Sequence, residues 1–343
     1  MSDSFAATNA ASSGVELDRK TLKSLSRRSD TPGLWFLAKW VLSLLASGYL
    51  VYLAMDTLWV WPAMFAYGSI ISLPAYSMSH ETAHGTAFRT RWLNEMMFWF
   101  TSLIYMEEPL HRRYTHTNHH TYTWHPGKDS QMPFDTPVTL RVWLIEMTGL
   151  ALTWFHLLTM YRLACGRFTE VMRWVIPNDE FSRIQRNAWV FIAVYVAIAV
   201  AIAMGADFLW WYLVIPWILG RITVVAFGLI QHVEMAESVP SILDSTRSFR
   251  TNRFVSFIYM NMENHVEHHL YPQVPWYSLP GLNRAICDQL PEPDPGFLRT
   301  NIEALSVAIR RTLRRNTKAW SIRQAPGMIS DGGVQKVTVR SMR

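Results

Sequence analysis

Cysteine is nearly missing from this 343-residue chain, with Cys165 and Cys287 as the two present. Two thiols build neither a disulfide framework nor a Cys-rich zinc or iron-sulfur site, so any metal must be held through nitrogen or oxygen. Charge is also sparse, at 17% of residues, while half of the chain is apolar. That balance excludes a disordered chain. A cleavable signal peptide is missing too: the first 33 residues are rich in Ser, Ala and charge, without a short apolar core and small-residue cleavage site. The amino terminus is expected to stay in the cytoplasm. What the chain has in quantity is 16 Trp, 13 Tyr, 17 Phe and 12 His. With a mean hydropathy just above zero, this describes lipid-facing segments diluted by polar regions.

Four apolar runs stand out. Leu34 to Met55 and Leu58 to Met78 are separated by Asp56-Thr57, and Ala188 to Met204 and Phe208 to Ile230 by Gly205-Ala206-Asp207. At ~1.5 Å per residue, such runs cross a hydrocarbon layer of ~30 Å. Neither tight turn holds a basic residue, whereas the flanks carry Arg19, Lys20, Lys23, Arg27 and Arg28, then Arg89, Arg91, Arg112 and Arg113, and later Arg183 and Arg186. The positive-inside bias therefore puts both turns outside and everything else in the cytoplasm. The expected fold is all-α and integral to the membrane, with four transmembrane helices in two hairpins (34–78 and 188–230). A cytosolic N-terminal arm (1–33) precedes them, a helical cytosolic cap is built from 79–187 and 231–296, and a basic helix and tail (297–343) follow. Met96 to Tyr105 is too short to span, and Trp143 to Leu163 is interrupted by Glu146, His156 and Arg162; both suit interfacial or re-entrant helices. In the tail, Arg310, Arg311, Arg314, Arg315 and Lys318 accompany Leu305, Ile309 and Leu313 at helical spacing. That pattern suits a helix on anionic lipid or a solvated one. No nucleic-acid module accompanies the basic cluster, and no nucleic-acid partner is expected.

The histidines are grouped. His80-Glu81-Thr82-Ala83-His84 ends the second apolar run, and on a continuing helix its two imidazoles share one face. Alone this is the zinc-protease pattern H-E-x-x-H, with Glu81 as general base. Two H-x-x-H-H clusters follow, His116 with His119 and His120, and His265 with His268 and His269. In each, the residues at i and i+3 share a helical face while the adjacent histidine points about 100° away, so that one turn serves two nearby ions, or one ion and the groups around its ligands. His232, just beyond the fourth run, falls on the same cytoplasmic face. Nine imidazoles exceed what one zinc uses, and two metals with open positions fit the number. Nitrogen ligands alone do not choose between zinc, copper and iron. Buried without metal, these rings would leave many nitrogens in need of partners.

The phrases HETAHGTAF (80–88), RRYTHTNHHTYT (112–123), LIQH (229–232) and HVEHHLYPQVPWYSLP (265–280) resemble the membrane fatty acid desaturase and hydroxylase superfamily, three-histidine-box proteins. The third box is similar to those of bacterial acyl-lipid desaturases and hydrocarbon-oxygenase-like members. The resemblance implies a cytosolic cap holding two iron ions (a non-haem di-iron site), with His80, His84, His116, His119, His120, His232, His265, His268 and His269 as ligands. Some acyl-CoA desaturases have a water-holding asparagine one turn before the extra histidine; here that position is Gly228. Glu81, Asn261, Asn264 and Glu267 are candidates for orienting the ligands, as is Asp129, while His111, His125 and His156 fall outside the matched positions.

The expected function is that of a membrane oxidoreductase activating O2 as co-substrate to oxidise an unactivated C–H bond of a lipid, fatty-acyl or alkyl substrate, by desaturation or hydroxylation (monooxygenation). No catalytic residue is expected beyond the metal ligands. Alternatives are a hydroxylase or N-demethylase of a small amine or alkyl compound, and an intramembrane zinc metalloprotease built on His80, Glu81 and His84. A non-catalytic metal transporter is disfavoured, because Lys39 and Arg221 are the only charges in the four runs. No flavin, nicotinamide or Cys-ligated cluster fingerprint is visible. An external electron donor, ferredoxin with its reductase, is the expected partner.

Overall fold

The run from Leu34 folds within a 25-residue helix because it holds no proline and needs no polar face. In the computed structural model, which describes residues 9–132 and 136–313, it is preceded by α1 (Arg19–Leu25), capped by the Asp18 carboxylate on the Thr21 amide. The long helix α2 (Asp30–Ala54) buries Gly33, Phe36, Trp40 and Val51, while Leu42, Leu45, Leu50 and Leu53 are exposed. An outer surface this apolar is one for lipid rather than water. Among the described residues every regular element is helical, and the strand-like pairing is one bridge between Phe249 and Asp294.

The second run lies in α3 (Val60–Ala83), which continues unbroken into the first histidine box. Pro74 sits inside it and has no amide to give the carbonyl of Ile70. The Trp40 indole of α2 donates to that carbonyl at 2.7 Å, so the proline is satisfied from the neighbouring helix. From Ile70 to Thr82 α3 is almost wholly buried, including Ser72, Ser77 and Ser79.

Four crossings are expected from the sequence; among the described residues three helical stretches are long and apolar enough to cross a membrane, Asp30–Ala54, Asn178–Ala203 and Asp207–Leu229, or four if a bent helix pair counts as one span. α3 is as long but more polar, because its neighbours cover it. The run interrupted by Glu146 and His156 forms α6 (Leu140–Met147) and α7 (Leu150–Ala164), which meet at 71°. Gly149, with φ +70°, makes that corner. Between lie α4 (Arg91–Tyr105) and α5 (Pro109–Thr121), and beyond it α8 (Glu170–Val175). The third run is the bulk of α9 (Phe181–Ala203), and the fourth passes through a π-helical turn at Trp210–Val214 into α10 (Ile215–Ile230).

α3 and α10 cross in backbone contact. A Cβ on Gly68 would lie 1.8 Å from the Pro216 carbonyl oxygen, and one on Gly220 2.0 Å from that of Gly68. The hydroxyls of Ser69 and Thr223 meet beside this crossing at 2.6 Å.

The cap is completed by α11 (Arg253–Ile258), α12 (His265–Leu270), α13 (Leu279–Ile286) and α14 (Phe297–Leu313). The N-terminal arm packs onto it: Ala10 and Val15 are buried among Leu270, Tyr271, Leu282 and Ile286. α14 turns Thr300, Asn301, Ala304 and Ala308 inward and leaves Ile309 and Leu313 of the apolar stripe exposed. Small residues there allow close approach, and Arg311 grips Glu234 through two 2.6 Å bonds. Arg314, Arg315 and Lys318 lie outside the described residues.

The glycine contact has a measurable consequence. Gly220→Ala should lower the thermal unfolding temperature in detergent, at a cost of about 1–3 kcal/mol for overpacking. Gly228→Ala, whose new methyl meets nothing within 4 Å, should leave it unchanged or raise it.

Candidate metal centre

Helical geometry delivers the nine expected imidazoles to one place. His80 rides the last turn of α3 and His84 caps its end; α5 carries His116, His119 and His120; α12 carries His265, His268 and His269; His232 follows α10. They form two groups, His80, His84, His116, His120 and His268, and His119, His232, His265 and His269, with one nitrogen per ring lying within 4.8 Å of the others in each. Eight rings are buried and His84 is half-buried.

The division within the boxes differs from the expected one. The pairs that stay together are i and i+4, His116 with His120 and His265 with His269, while the i+3 residue goes to the other group. Four residues advance a helix by ~400°, so such a pair is only ~40° apart and converges better than i and i+3 at ~60°. The two boxes are reciprocal: box two gives two rings to the first group and one to the second, and box three the reverse.

The outer nitrogens show which way the rings face. His116 Nδ1 donates to Gln131 Oε1 at 2.9 Å, His119 Nδ1 to Asp129 Oδ2 at 2.9 Å, and His232 Nδ1 to the Ser245 carbonyl at 3.0 Å. His269 Nδ1 meets the Thr123 hydroxyl at 3.2 Å, and that hydroxyl itself donates to the His119 carbonyl. With Nδ1 protonated, Nε2 presents a bare lone pair to the interior. There Nε2 of His116 lies 2.9 Å from that of His84 and 3.2 Å from that of His120, and His265 lies 3.1 Å from both His232 and His269. Separations near 3 Å are those of neighbouring ligands each ~2.1 Å from a shared ion. Both nitrogens of His80, and Nδ1 of His120 and His268, are buried without any hydrogen-bond partner. The donor set thus fits a pair of transition-metal ions.

Burial, then the neighbouring rings, hold the imidazoles of His80, His116 and His120 well below their usual range, with Arg112 adding to the effect at His80 and His116. Burial likewise depresses His265, His268 and His269. His84 and His232 are pushed down to about 3, again chiefly by burial. These eight rings offer lone pairs, not protons, near neutral pH.

The expected orienting residues turn elsewhere. Glu81 Oε1 accepts from the Thr86 hydroxyl and the Trp276 amide, and burial raises its carboxyl to about 7. Glu267 accepts from Ser248 and Asn283. Asn261 donates to the Trp276 carbonyl and Asn264 to that of Asn261. These four brace the loops carrying box three instead of touching ligand rings. Asp129 does bond one of the nine rings, that of His119. Gln131, Thr123 and Gln231, whose amide bridges His265 Nδ1 (3.3 Å) and the Tyr259 hydroxyl (2.6 Å), were not foreseen as ligand-orienting residues. Asn9 in the N-terminal arm donates to the carbonyls of both His120 and His269, at 3.1 and 3.0 Å. No motif marks it, since its partners lie 111 and 260 residues away.

A cavity of about 150 Å³ opens beside both groups, reached by His80, His116, His119, His232 and His265, with Gly228 in its wall.

The chain matches the Fatty acid desaturase family over residues 58–300, more than half of its length. It belongs to that family, and with three helical stretches able to cross a bilayer it is a membrane protein. It is similar to an sn-1 oleoyl-lipid 12-desaturase of Arthrospira platensis, with 24% identity over 229 residues, which is 60% of this chain and 62% of that protein.

Two substitutions probe the outer contacts. Asp129→Asn should weaken metal retention about 10–100-fold in the His119 group alone, so that metal analysis after dialysis falls from two ions per chain towards one. Asn9→Ala should leave the helical circular dichroism intact yet speed metal loss to a chelator, because boxes two and three lose their shared tie.

Proposed function

We propose that this protein is a membrane-bound non-haem di-iron oxidoreductase that uses O2 to oxidise an unactivated C–H bond of a lipid, fatty-acyl or alkyl substrate. The observation that carries it is the convergence of five and four imidazoles on the edge of one cavity. Imidazole suits zinc and copper as well as iron; kinship with desaturases favours iron, and the doubled site favours two ions. A bound iron pair would supply the redox chemistry, taking two electrons to reduce O2. The balance is CH–CH + O2 + 2e⁻ + 2H⁺ → C=C + 2H2O for desaturation, or C–H + O2 + 2e⁻ + 2H⁺ → C–OH + H2O for hydroxylation. An external donor, ferredoxin with its reductase, is the proposed electron source.

The residues of this chain contribute placement. Gln131, Asp129, Thr123 and the Ser245 carbonyl hold ligand rings at a set angle. Leu152, Phe155, Val224 and Val225 give the cavity an apolar wall that keeps water from the oxidised carbon. The relative acts, by its name, on an oleoyl-lipid, which supports desaturation as the first reaction to seek. In this reading α2, α3, α9 and α10 are four crossings in two hairpins, and the cap and both termini face the cytoplasm. The absence of Lys and Arg from both tight turns supports it.

The zinc-protease alternative is disfavoured by Glu81, which does not line the cavity beside the imidazoles and whose Oε1 bonds Thr86 and the Trp276 amide. Metal analysis combined with product analysis of a lipid panel, supplied with O2, ferredoxin and reductase, tests the proposal. Two irons per chain with a new double bond or hydroxyl is expected; a single zinc would overturn it. Glu81→Gln should keep activity within about threefold, whereas His268→Ala should abolish it, the opposite of what a protease of this pattern shows.

A further inference from the structure

The cavity has a second end that the imidazoles do not explain. Glu107, His111 and Arg112 line it. His111 is 4% exposed, and neither of its ring nitrogens has a hydrogen-bond partner. Its Nδ1 lies 3.3 Å from Glu107 Oε1, within reach of the charge but out of line for a hydrogen bond. Arg112 Nη1 donates to Glu107 Oε2 at 2.7 Å, and its guanidinium lies over the Tyr105 ring at 4.5 Å. Arg112 Nε remains buried and unpartnered. His111 belongs to neither imidazole group. A buried ring with two idle nitrogens, facing a cavity, is a group waiting for a ligand.

We infer that this end of the cavity binds the hydroxyl-type polar end of a compact substrate, which places the bond to be oxidised only a few carbons away. The inference rests on the di-iron reading for its chemistry but on the cavity alone for its binding. Three features select the ligand. Charge is the first: the Glu107 carboxylate and Arg112 guanidinium cancel one another, so an uncharged group is preferred. Hydrogen bonding is the second: a hydroxyl accepts from Arg112 Nε–H and donates to a His111 nitrogen, whereas a methylene would leave both dry.

Size is the third. A cavity of about 150 Å³ is of the order of one that holds a benzene ring, far short of a complete long acyl chain. His111 and His116 lie on one helix, α5, five residues apart, a rise of ~7–8 Å. A molecule of about six carbons matches the cavity's volume.

The test uses the full-length protein in phosphatidylcholine nanodiscs, with binding of 1-hexanol and hexane followed by saturation-transfer NMR. 1-Hexanol is expected to bind and hexane to bind at least tenfold more weakly. His111→Phe should weaken 1-hexanol at least tenfold, and His111→Asn, which keeps a hydrogen-bonding group, should stay within threefold of the native protein. Gly228→Leu gives a second route, since its Cβ meets nothing within 4 Å; it should fill the cavity and abolish binding while the helical spectrum is unchanged. Equal binding of hexane and 1-hexanol, indifference to His111→Phe, or displacement of 1-hexanol by added oleoyl-phosphatidylcholine would overturn the inference. Metal content is read on the same samples. One zinc with His111-dependent binding would remove the di-iron reading and leave the pocket, while two irons without such binding would do the reverse.

Discussion

Nitrogen lone pairs facing one another across about 3 Å, in an interior with little water, are the constraint on which this molecule depends. Neutral imidazoles arranged this way repel, and burial denies them the protons that could bridge them. A cation between them reverses the sign of the interaction. The fold must therefore supply rigidity from outside the rings, and it does so through the outward nitrogens. A carboxylate, an amide, a hydroxyl and a main-chain carbonyl each take one Nδ1 proton, and so fix a tautomer as well as an angle.

Rigidity further out comes from backbone contact. α3 delivers the first box and α10 leads to His232, and the glycine crossing lets their main chains touch. The internal proline of α3 is tolerated because an indole from α2 takes over the freed carbonyl. The helix least suited to lipid by composition is the one the others enclose, so Ser72, Ser77 and Ser79 can sit at its buried end without facing hydrocarbon.

Much of this was legible in the chain. The runs predicted α2, α9 and α10, the box spacings predicted eight of the rings now seen together, because local periodicity places side chains on helical faces, and the position just beyond the fourth run predicted His232. The partition was less legible: i and i+3 looked like partners, but the supporting helices select i and i+4. Glu81, Asn261, Asn264 and Glu267 were chosen for proximity in sequence, yet Glu81 and Asn261 bond Trp276 beyond box three, Asn264 the Asn261 carbonyl before it, and Glu267 Ser248 and Asn283. Gln131 and Asn9 gave no local signal, since a contact made across a turn or across 260 residues leaves no period to read.

The Asn9 tie also has a temporal side. Its two acceptors are the carbonyls of His120 and His269, so this arm must wait, during synthesis, for a cap helix 260 residues later to leave the ribosome. Assembly of the ligand cage is thereby a late event on the nascent polypeptide, and an arm laid across two finished boxes serves as the clasp that records their completion.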